Sequence, residues 1–138
     1  MKYFVKLIVI GVAVACCSTT SDATDLTIKL TGSDAISRNI ETFQCDVQGP
    51  QLGLPAGPFP VEYLNGAGNS LAVLPIQGQS LIFVNVVSGS GARYASGRYI
   101  WWDAGSRGVH LYSDSLEGKK ETSCQTIKGS QPPAERGK

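Results

Sequence analysis

The apolar residues of this chain form short runs from Thr42 onwards, and many of these runs alternate with polar residues. Glycine, proline, asparagine and aspartate separate one run from the next. Alternation with a period of two is typical of β-strands that bury one face, and no window shows the period of about 3.6 residues that marks a long helix. The pattern therefore predicts an all-β protein.

Eight short strands are predicted between the turn-forming residues. They are Thr42–Val47, Val61–Leu64, Ser70–Ile76, Ser80–Val87, Arg93–Ala95, Arg98–Trp102, Gly108–Tyr112 and Glu121–Thr126. The stretch Gly49–Pro60 contains four prolines and is predicted to be an irregular connection. So many short strands in a single domain favour an antiparallel barrel or a sandwich.

Residues 1–23 are predicted to be an export signal that does not belong to the fold. Lys2 and Lys6 precede the apolar stretch Leu7–Ala15, which is too short to span a bilayer as a helix. A basic start followed by a short apolar stretch is typical of a signal peptide.

The end of this signal allows two outcomes. Ser21–Ala23 suits a peptidase that requires small residues, and its cut would leave a soluble periplasmic chain that begins at Thr24. Alternatively, Cys16 or Cys17 is a lipidated cysteine, because small apolar residues precede both. The protein would then contact a membrane through its lipid anchor.

The remainder of the chain divides into three parts. Residues 24–39 are polar apart from the alternating piece Leu26–Leu30, and they are expected to form a tether or a first strand. Residues 40–127 are expected to form the β-domain. Residues 128–138 are charged and contain prolines, so we expect a disordered tail.

Charge and cysteine content narrow the possible functions. Without residues 1–23 the chain has equal numbers of acidic and basic residues, whereas a nucleic-acid partner calls for a basic patch. Cys45 and Cys124 would remain in an oxidising compartment, which predicts one disulfide. Together with the lone His110 they are too few for a structural zinc site, and we expect neither a metal nor another cofactor.

A small, polar turn, Ser88–Gly91, stands between an apolar strand and an aromatic one. On the residues alone it is a hairpin turn whose glycines supply positive φ, with Tyr94 as a half-buried strand residue. A sterically bare loop between two rigid strands also suits insertion into the cleft of another molecule. Both interpretations start from the same four residues.

The surrounding sequence resembles a family of bacterial inhibitors of c-type lysozyme, with membrane-bound (MliC) and periplasmic (PliC) branches. Its SGxxY motif is matched by Ser90, Gly91 and Tyr94. The context also fits, from LAVLP through VVSGSGARY to YIWW, and the likeness extends from Phe43 to Cys124.

This resemblance implies a small antiparallel eight-stranded β-barrel and an exported, non-enzymatic inhibitor of c-type lysozyme. Lysozyme cleaves its substrate with a carboxylic acid of raised pKa and a second, ionised carboxylate. The Ser90 hydroxyl is expected to donate to one of them, with Gly91 shaping the loop and Tyr94 bracing it or lining the contact surface. Such a protein would protect peptidoglycan in the periplasm or at the outer membrane of a Gram-negative cell.

The chain departs from the family at one position. The resemblance leads us to expect Trp-x-Lys-Gly after the aromatic strand, but Ala104 stands where the lysine belongs, between Trp102 and Gly105. Arg107, in the same turn, is a candidate for the missing cation, and it is equally an ordinary solvated arginine. The departure bears on potency more than on fold.

Trp101 and Trp102 are adjacent, so on a strand one points into the core and the other points outward, where it could contact a partner. His110 is expected to be structural, because it stands in no recognisable nucleophile–base motif.

Two other functions compete with lysozyme inhibition. One is a small barrel that binds a hydrophobic or envelope ligand. The other is an envelope hydrolase, for which this chain shows no nucleophile–base motif.

Overall fold

A computed structural model describes residues 23–32, 34–115 and 118–128. Eight antiparallel strands close into a barrel in which each strand pairs with the next and the last pairs with the first. The strands are β1 Ser37–Cys45, β2 Phe59–Gly66, β3 Asn69–Ile76, β4 Gln79–Val86, β5 Ala92–Ser96, β6 Tyr99–Asp103, β7 Val109–Ser115 and β8 Gly118–Thr126. The predicted eight-stranded antiparallel barrel is confirmed.

The ends of the chain are described only in part. The predicted export signal lies outside the described residues except for Ala23, and the predicted tail does so except for Lys128. Within the described ranges, no helix is long and apolar enough to cross a bilayer. The alternating piece Leu26–Leu30 forms no strand, and its apolar side chains are exposed.

Every predicted strand is present, and the largest difference lies at the start of β1. This strand begins at Ser37 rather than Thr42, because its polar first half pairs with β2 from Ser37 opposite Asn65 to Phe43 opposite Phe59. Two short 3-10 helices, Gly49–Leu52 and Gly105–Arg107, were not predicted from the sequence. Both lie in connections that the turn-forming residues had marked.

Alternate residues of the strands point into the barrel and form one contiguous core. Trp101 is fully buried at its centre, where its indole N–H donates to the Tyr63 hydroxyl over 2.9 Å. The ring of Phe43 meets Trp101 edge-on, with centroids 5.2 Å apart. Trp102 faces outward and is half-buried, which confirms that the two tryptophans occupy opposite faces.

The connection between β1 and β2 closes one end of the barrel. Leu52 and Leu54 from this connection are buried in the core. The Gly53 carbonyl accepts a hydrogen bond of 2.7 Å from the Gln77 N–H in the turn between β3 and β4. The proline-rich connection is therefore packed against the core of the barrel and is not a loose loop.

The barrel closes at a short seam between β1 and β8. Only three residue pairs align there, Phe43 with Thr126, Gln44 with Gln125 and Cys45 with Cys124. The last pair forms the predicted disulfide. Next to it, the Asp46 carboxylate accepts hydrogen bonds from the buried Thr122 hydroxyl and from the Ser123 N–H. The bond from Thr122 is the main reason that the pKa of Asp46 is lowered.

Replacing Cys45 and Cys124 with alanine should lower the free energy of unfolding by about 2–4 kcal/mol. The bridge joins residues separated by 79 positions, and few backbone pairs hold the seam without it. Urea titration of the variant and of the oxidised wild type measures the difference, and reductant should affect the wild type alone. An unchanged urea midpoint would show that the seam holds without the bridge.

Candidate functional site

Two loops that contain predicted site residues are neighbours at one end of the barrel. The first, residues 87–91, joins β4 to β5, and the second, residues 104–108, joins β6 to β7. Cross-strand pairing aligns Val86 with Arg93, and Arg93 with Trp102. This register fixes the distance between the loops, since both follow directly from aligned strand ends.

Ser90 and Arg107, which were predicted from separate parts of the sequence, are in direct contact. The Arg107 Nη2 donates a hydrogen bond of 2.8 Å to the Ser90 Oγ, and both residues are exposed. A serine hydroxyl has one proton to donate and two lone pairs that accept. Since Arg107 uses a lone pair, the hydroxyl proton is left to donate to an acceptor outside the protein.

The backbone of the first loop is held at the Ser90 carbonyl. This oxygen accepts a bond of 2.6 Å from the Ser88 hydroxyl and a bond of 3.0 Å from the Trp102 indole N–H. One donor belongs to the loop itself, and the other projects from the neighbouring strand β6. The position of the Ser90 side chain is therefore tied to the sheet.

Gly91 is required by its surroundings. Its φ is +67°, and a Cβ built on it would lie 2.0 Å from the Asp103 carbonyl oxygen. No side chain fits that gap, so the backbones of the two loops approach each other closely only because this residue is glycine. The Asp103 carboxylate in turn accepts a bond of 2.8 Å from the Gly105 N–H and shapes the second loop.

Tyr94, the last residue of the motif, lies inside the barrel with 6% of its surface exposed. It stands opposite Trp101 in the sheet, its ring contacts the Tyr63 ring, and its hydroxyl lies 3.3 Å from the Ser70 Oγ. This burial leaves little of the Tyr94 surface for contact with a partner, and the spacing of the motif did not reveal which face of the sheet the residue occupies. The bracing role of Tyr94 stays a prediction.

Ala104, which replaces the expected lysine, is 8% exposed. Its backbone closes the second loop, with its N–H donating to the Gly108 carbonyl over 3.0 Å. The cation next to Ser90 comes from Arg107, three positions further along. The structure thus places a positive charge beside the serine despite the alanine.

An outward-facing cluster of three rings borders the two loops. Trp102 on β6 and His110 and Tyr112 on β7 form a triangle, with ring centroids 5.9, 6.3 and 6.1 Å apart. Arg107 lies over the Trp102 ring at 5.0 Å and Lys119 over the Tyr112 ring at 5.1 Å. Cations at these distances are attracted by the ring faces.

Tyr112 and Lys119 were not recognised from the sequence, although the outward positions of His110 and Tyr112 follow from strand alternation. Burial, with a further contribution from the Glu121 carboxylate, raises the pKa of Tyr112, so its hydroxyl stays neutral. His110 Nε2 lies 3.2 Å from the Arg107 carbonyl oxygen, consistent with the structural role expected for this residue.

A cleft of about 310 Å³ lies next to the first loop. Its lining includes Ser88 and Ser90 from the loop and Trp102, Tyr112 and Lys119 from the strands β6 to β8. In the described part of the chain, no three or more His, Cys, Asp or Glu residues are grouped so that they could hold a metal ion. What the site presents outward is a hydroxyl donor next to a fixed guanidinium.

Comparison with known proteins gives consistent matches. A family model described as the membrane-bound lysozyme-inhibitor of c-type lysozyme matches residues 55–114. Proteins named membrane-bound lysozyme inhibitor of C-type lysozyme from Pseudomonas aeruginosa and Cupriavidus necator are 54% identical over 62 residues and 50% identical over 49 residues. These alignments cover 44% and 36% of this chain and 48% and 39% of the relatives, so they span about half of the relatives' length or less.

A solved structure extends the likeness to the whole barrel. It is the crystal structure of Pseudomonas aeruginosa MliC in complex with hen egg white lysozyme, with a TM-score of 0.58 and 32% sequence identity. The match covers 78% of this chain and 100% of the MliC chain. The family-model match, residues 55–114, includes the two loops of the site.

Replacing Gly91 with alanine should destabilise the protein, by about 1–2 kcal/mol for the left-handed backbone alone and by more once the clash with the Asp103 carbonyl is included. Gly89→Ala is the matched control, because a Cβ there meets nothing within 4 Å. Urea titration of both variants measures the difference. Equal stabilities for the two variants would contradict the close approach of the loops.

Proposed function

The chain belongs to the family of membrane-bound inhibitors of c-type lysozyme, and we propose from this premise that it binds a c-type lysozyme and blocks its active site. The observation that carries the mechanism is the bond of 2.8 Å between Arg107 Nη2 and Ser90 Oγ. It supports a paired contact in which hydroxyl and guanidinium enter the lysozyme cleft together.

This pair matches the chemistry of the target. Lysozyme works with two carboxyl groups, of which one is protonated and one is ionised. The Ser90 hydroxyl can donate to either of them, and the Arg107 charge attracts the ionised one. Hydrogen bonds to charged groups are stronger than bonds between neutral groups, and the exclusion of water strengthens them further. A loop that occupies both carboxyl groups also leaves no place for the sugar or the attacking water.

Apolar residues beside the loop suit the rim of such an interface. Val87 is 97% exposed and Val86 is 38% exposed, and they lead directly into Ser88. Covering apolar surface contributes roughly 25 cal/mol per Å². We therefore expect the end of β4 to pack against lysozyme while the serine enters the cleft.

The competing function, a barrel that holds a hydrophobic ligand, has less support. Large side chains occupy the interior of the barrel, among them Trp101, Phe43 and Phe83, all fully buried. The polar cleft beside Ser90 lies outside the barrel, and charged and polar residues line much of it. An interior ligand would first have to displace this core.

Replacing Ser90 or Arg107 with alanine should weaken binding to hen egg white lysozyme on the order of ten- to a hundredfold. Loss of one hydrogen bond to a carboxylate costs about 1.5–3 kcal/mol, which corresponds to that range. Titration calorimetry and a lysis assay measure affinity and inhibition.

Two alanine variants at other sites provide matched controls for this measurement. Arg98 also lies over a ring and donates to a hydroxyl, both belonging to Tyr99, and Ser80 is an exposed serine at the start of β4. Arg98→Ala and Ser80→Ala should bind like wild type. A wild type that leaves lysozyme active at micromolar concentration would contradict the inhibitor function, and a fully active Ser90→Ala would contradict the mechanism alone.

We also propose that the protein acts in the cell envelope, in accordance with the names of its relatives. Mass spectrometry of the protein recovered from the envelope should show that the signal is removed. A start at Thr24 indicates a soluble periplasmic protein, and a diacylated or triacylated Cys16 or Cys17 indicates a lipid anchor. Recovery of an intact Met1 start from the cytoplasm would contradict export.

A further inference from the structure

We propose that Trp102 is a positioning residue that holds both the serine and the arginine in the geometry that lysozyme meets. This inference rests on the proposed function for its effect on binding. Its structural part concerns the free protein alone. The juxtaposition that carries it is one indole side chain in contact with both loops.

The first contact fixes the serine loop. The indole N–H donates to the Ser90 carbonyl over 3.0 Å, and the only other donor recorded at that oxygen in the described part of the chain is the Ser88 hydroxyl, which moves with the loop. Trp102 lies within β6, paired with Arg93 on one side and His110 on the other. The indole is therefore the connection between the loop and a rigid strand.

The second contact holds the arginine. The Arg107 guanidinium lies 5.0 Å from the centre of the Trp102 ring, and its Nη2 reaches the Ser90 Oγ. A free arginine side chain has many rotamers, and ordering them on binding costs affinity. Stacking on the ring orders the side chain before the partner arrives, and the planar guanidinium suits such a face.

Trp102 is engaged with its own protein and is not simply a ring available to a partner. Its only side-chain N–H donates to the Ser90 carbonyl, and the Arg107 guanidinium covers part of its ring face. Its effect on a partner passes through Ser90 and Arg107. The two contacts are also chemically separable, because phenylalanine keeps a ring and lacks the donor.

The experiment compares Trp102→Phe and Trp102→Leu with Tyr99→Phe, a matched control at the far end of β6, where Arg98 lies over the Tyr99 ring and donates to its hydroxyl. Trp102→Phe should weaken lysozyme binding about five- to tenfold through the lost hydrogen bond. Trp102→Leu should weaken it further, to about twenty- to fiftyfold, because the cation–ring contact is also lost. Tyr99→Phe should not change affinity by more than about twofold.

A double-mutant cycle distinguishes positioning from direct contact. If Trp102 acts through Ser90, then Trp102→Phe should cost much less in a Ser90→Ala background than in the wild type. Independent effects that multiply would overturn the proposal, because they would mean that the indole contacts lysozyme itself or acts through general stability. Urea titration alongside should show that Trp102→Phe and Tyr99→Phe, which each lose one hydrogen bond and keep a ring, are equally stable.

A readout without lysozyme separates this proposal from the proposed function. Relaxation of the backbone ¹⁵N nuclei of Ser90 and Gly91 should give lower order parameters in Trp102→Phe than in the wild type, and unchanged values in Tyr99→Phe. If the wild type does not bind lysozyme, the proposed function is wrong. The order parameters alone then decide whether Trp102 positions the Ser90 loop. Order parameters that stay at the wild-type value in Trp102→Phe overturn the positioning role.

Discussion

The structure depends on closure of the barrel at the seam between β1 and β8. Seven of the eight strand pairs link neighbours in the chain, and only this one joins the two ends of the domain. Three aligned residue pairs make it, together with flanking backbone hydrogen bonds from the Asp46 N–H to the Ser123 carbonyl and from the Ile127 N–H to the Thr42 carbonyl, and the Cys45–Cys124 disulfide stands within it. Closure removes the free sheet edges and fixes the stagger of every strand relative to the others. A change in that stagger would move the two site loops apart.

A row of four aligned residues connects the rigid sheet to the two site loops. Val86, Arg93, Trp102 and His110 lie side by side across four strands, and the loops emerge beyond them. Trp102 touches both loops, and Gly91 allows their backbones to meet. The hydroxyl of Ser90 and the guanidinium of Arg107 are consequently fixed next to each other before any partner is present.

The sequence predicted the fold well because strand alternation and turn residues are local signals. The position of every strand followed from them, whereas the polar first half of β1 was missed, because its pairing with β2 determines it and its own residues do not. Closure as a barrel rather than a sandwich came from the family resemblance. Alternation alone also could not reveal that the proline-rich connection places Leu52 and Leu54 in the core.

The sequence named candidate site residues but did not reveal how they are arranged. Ser90 and Gly91 follow from a motif, and Arg107 was a candidate only because a lysine was missing. Their contact depends on the register of β4, β5 and β6, which is a property of the whole sheet and is not encoded at either position. Tyr94 shows the same limit, since the motif gives its spacing from Ser90 but not the face of the sheet on which it lies.

Under the proposed function, a positive charge on Arg107 instead of on a lysine at position 104 would change how binding energy is obtained. A lysine in place of Ala104 would carry its charge on a flexible stem and would lose rotamer freedom when it met a carboxylate. Arg107 is already stacked on Trp102 and bonded to Ser90, so much of that loss is incurred during folding. Residues 24–138 contain equal numbers of acidic and basic residues, so under the proposed function long-range attraction would offer little help in the encounter with lysozyme. Affinity would then depend on short-range geometry, and the fixed arrangement of hydroxyl, guanidinium and indole would be the property on which inhibition depends.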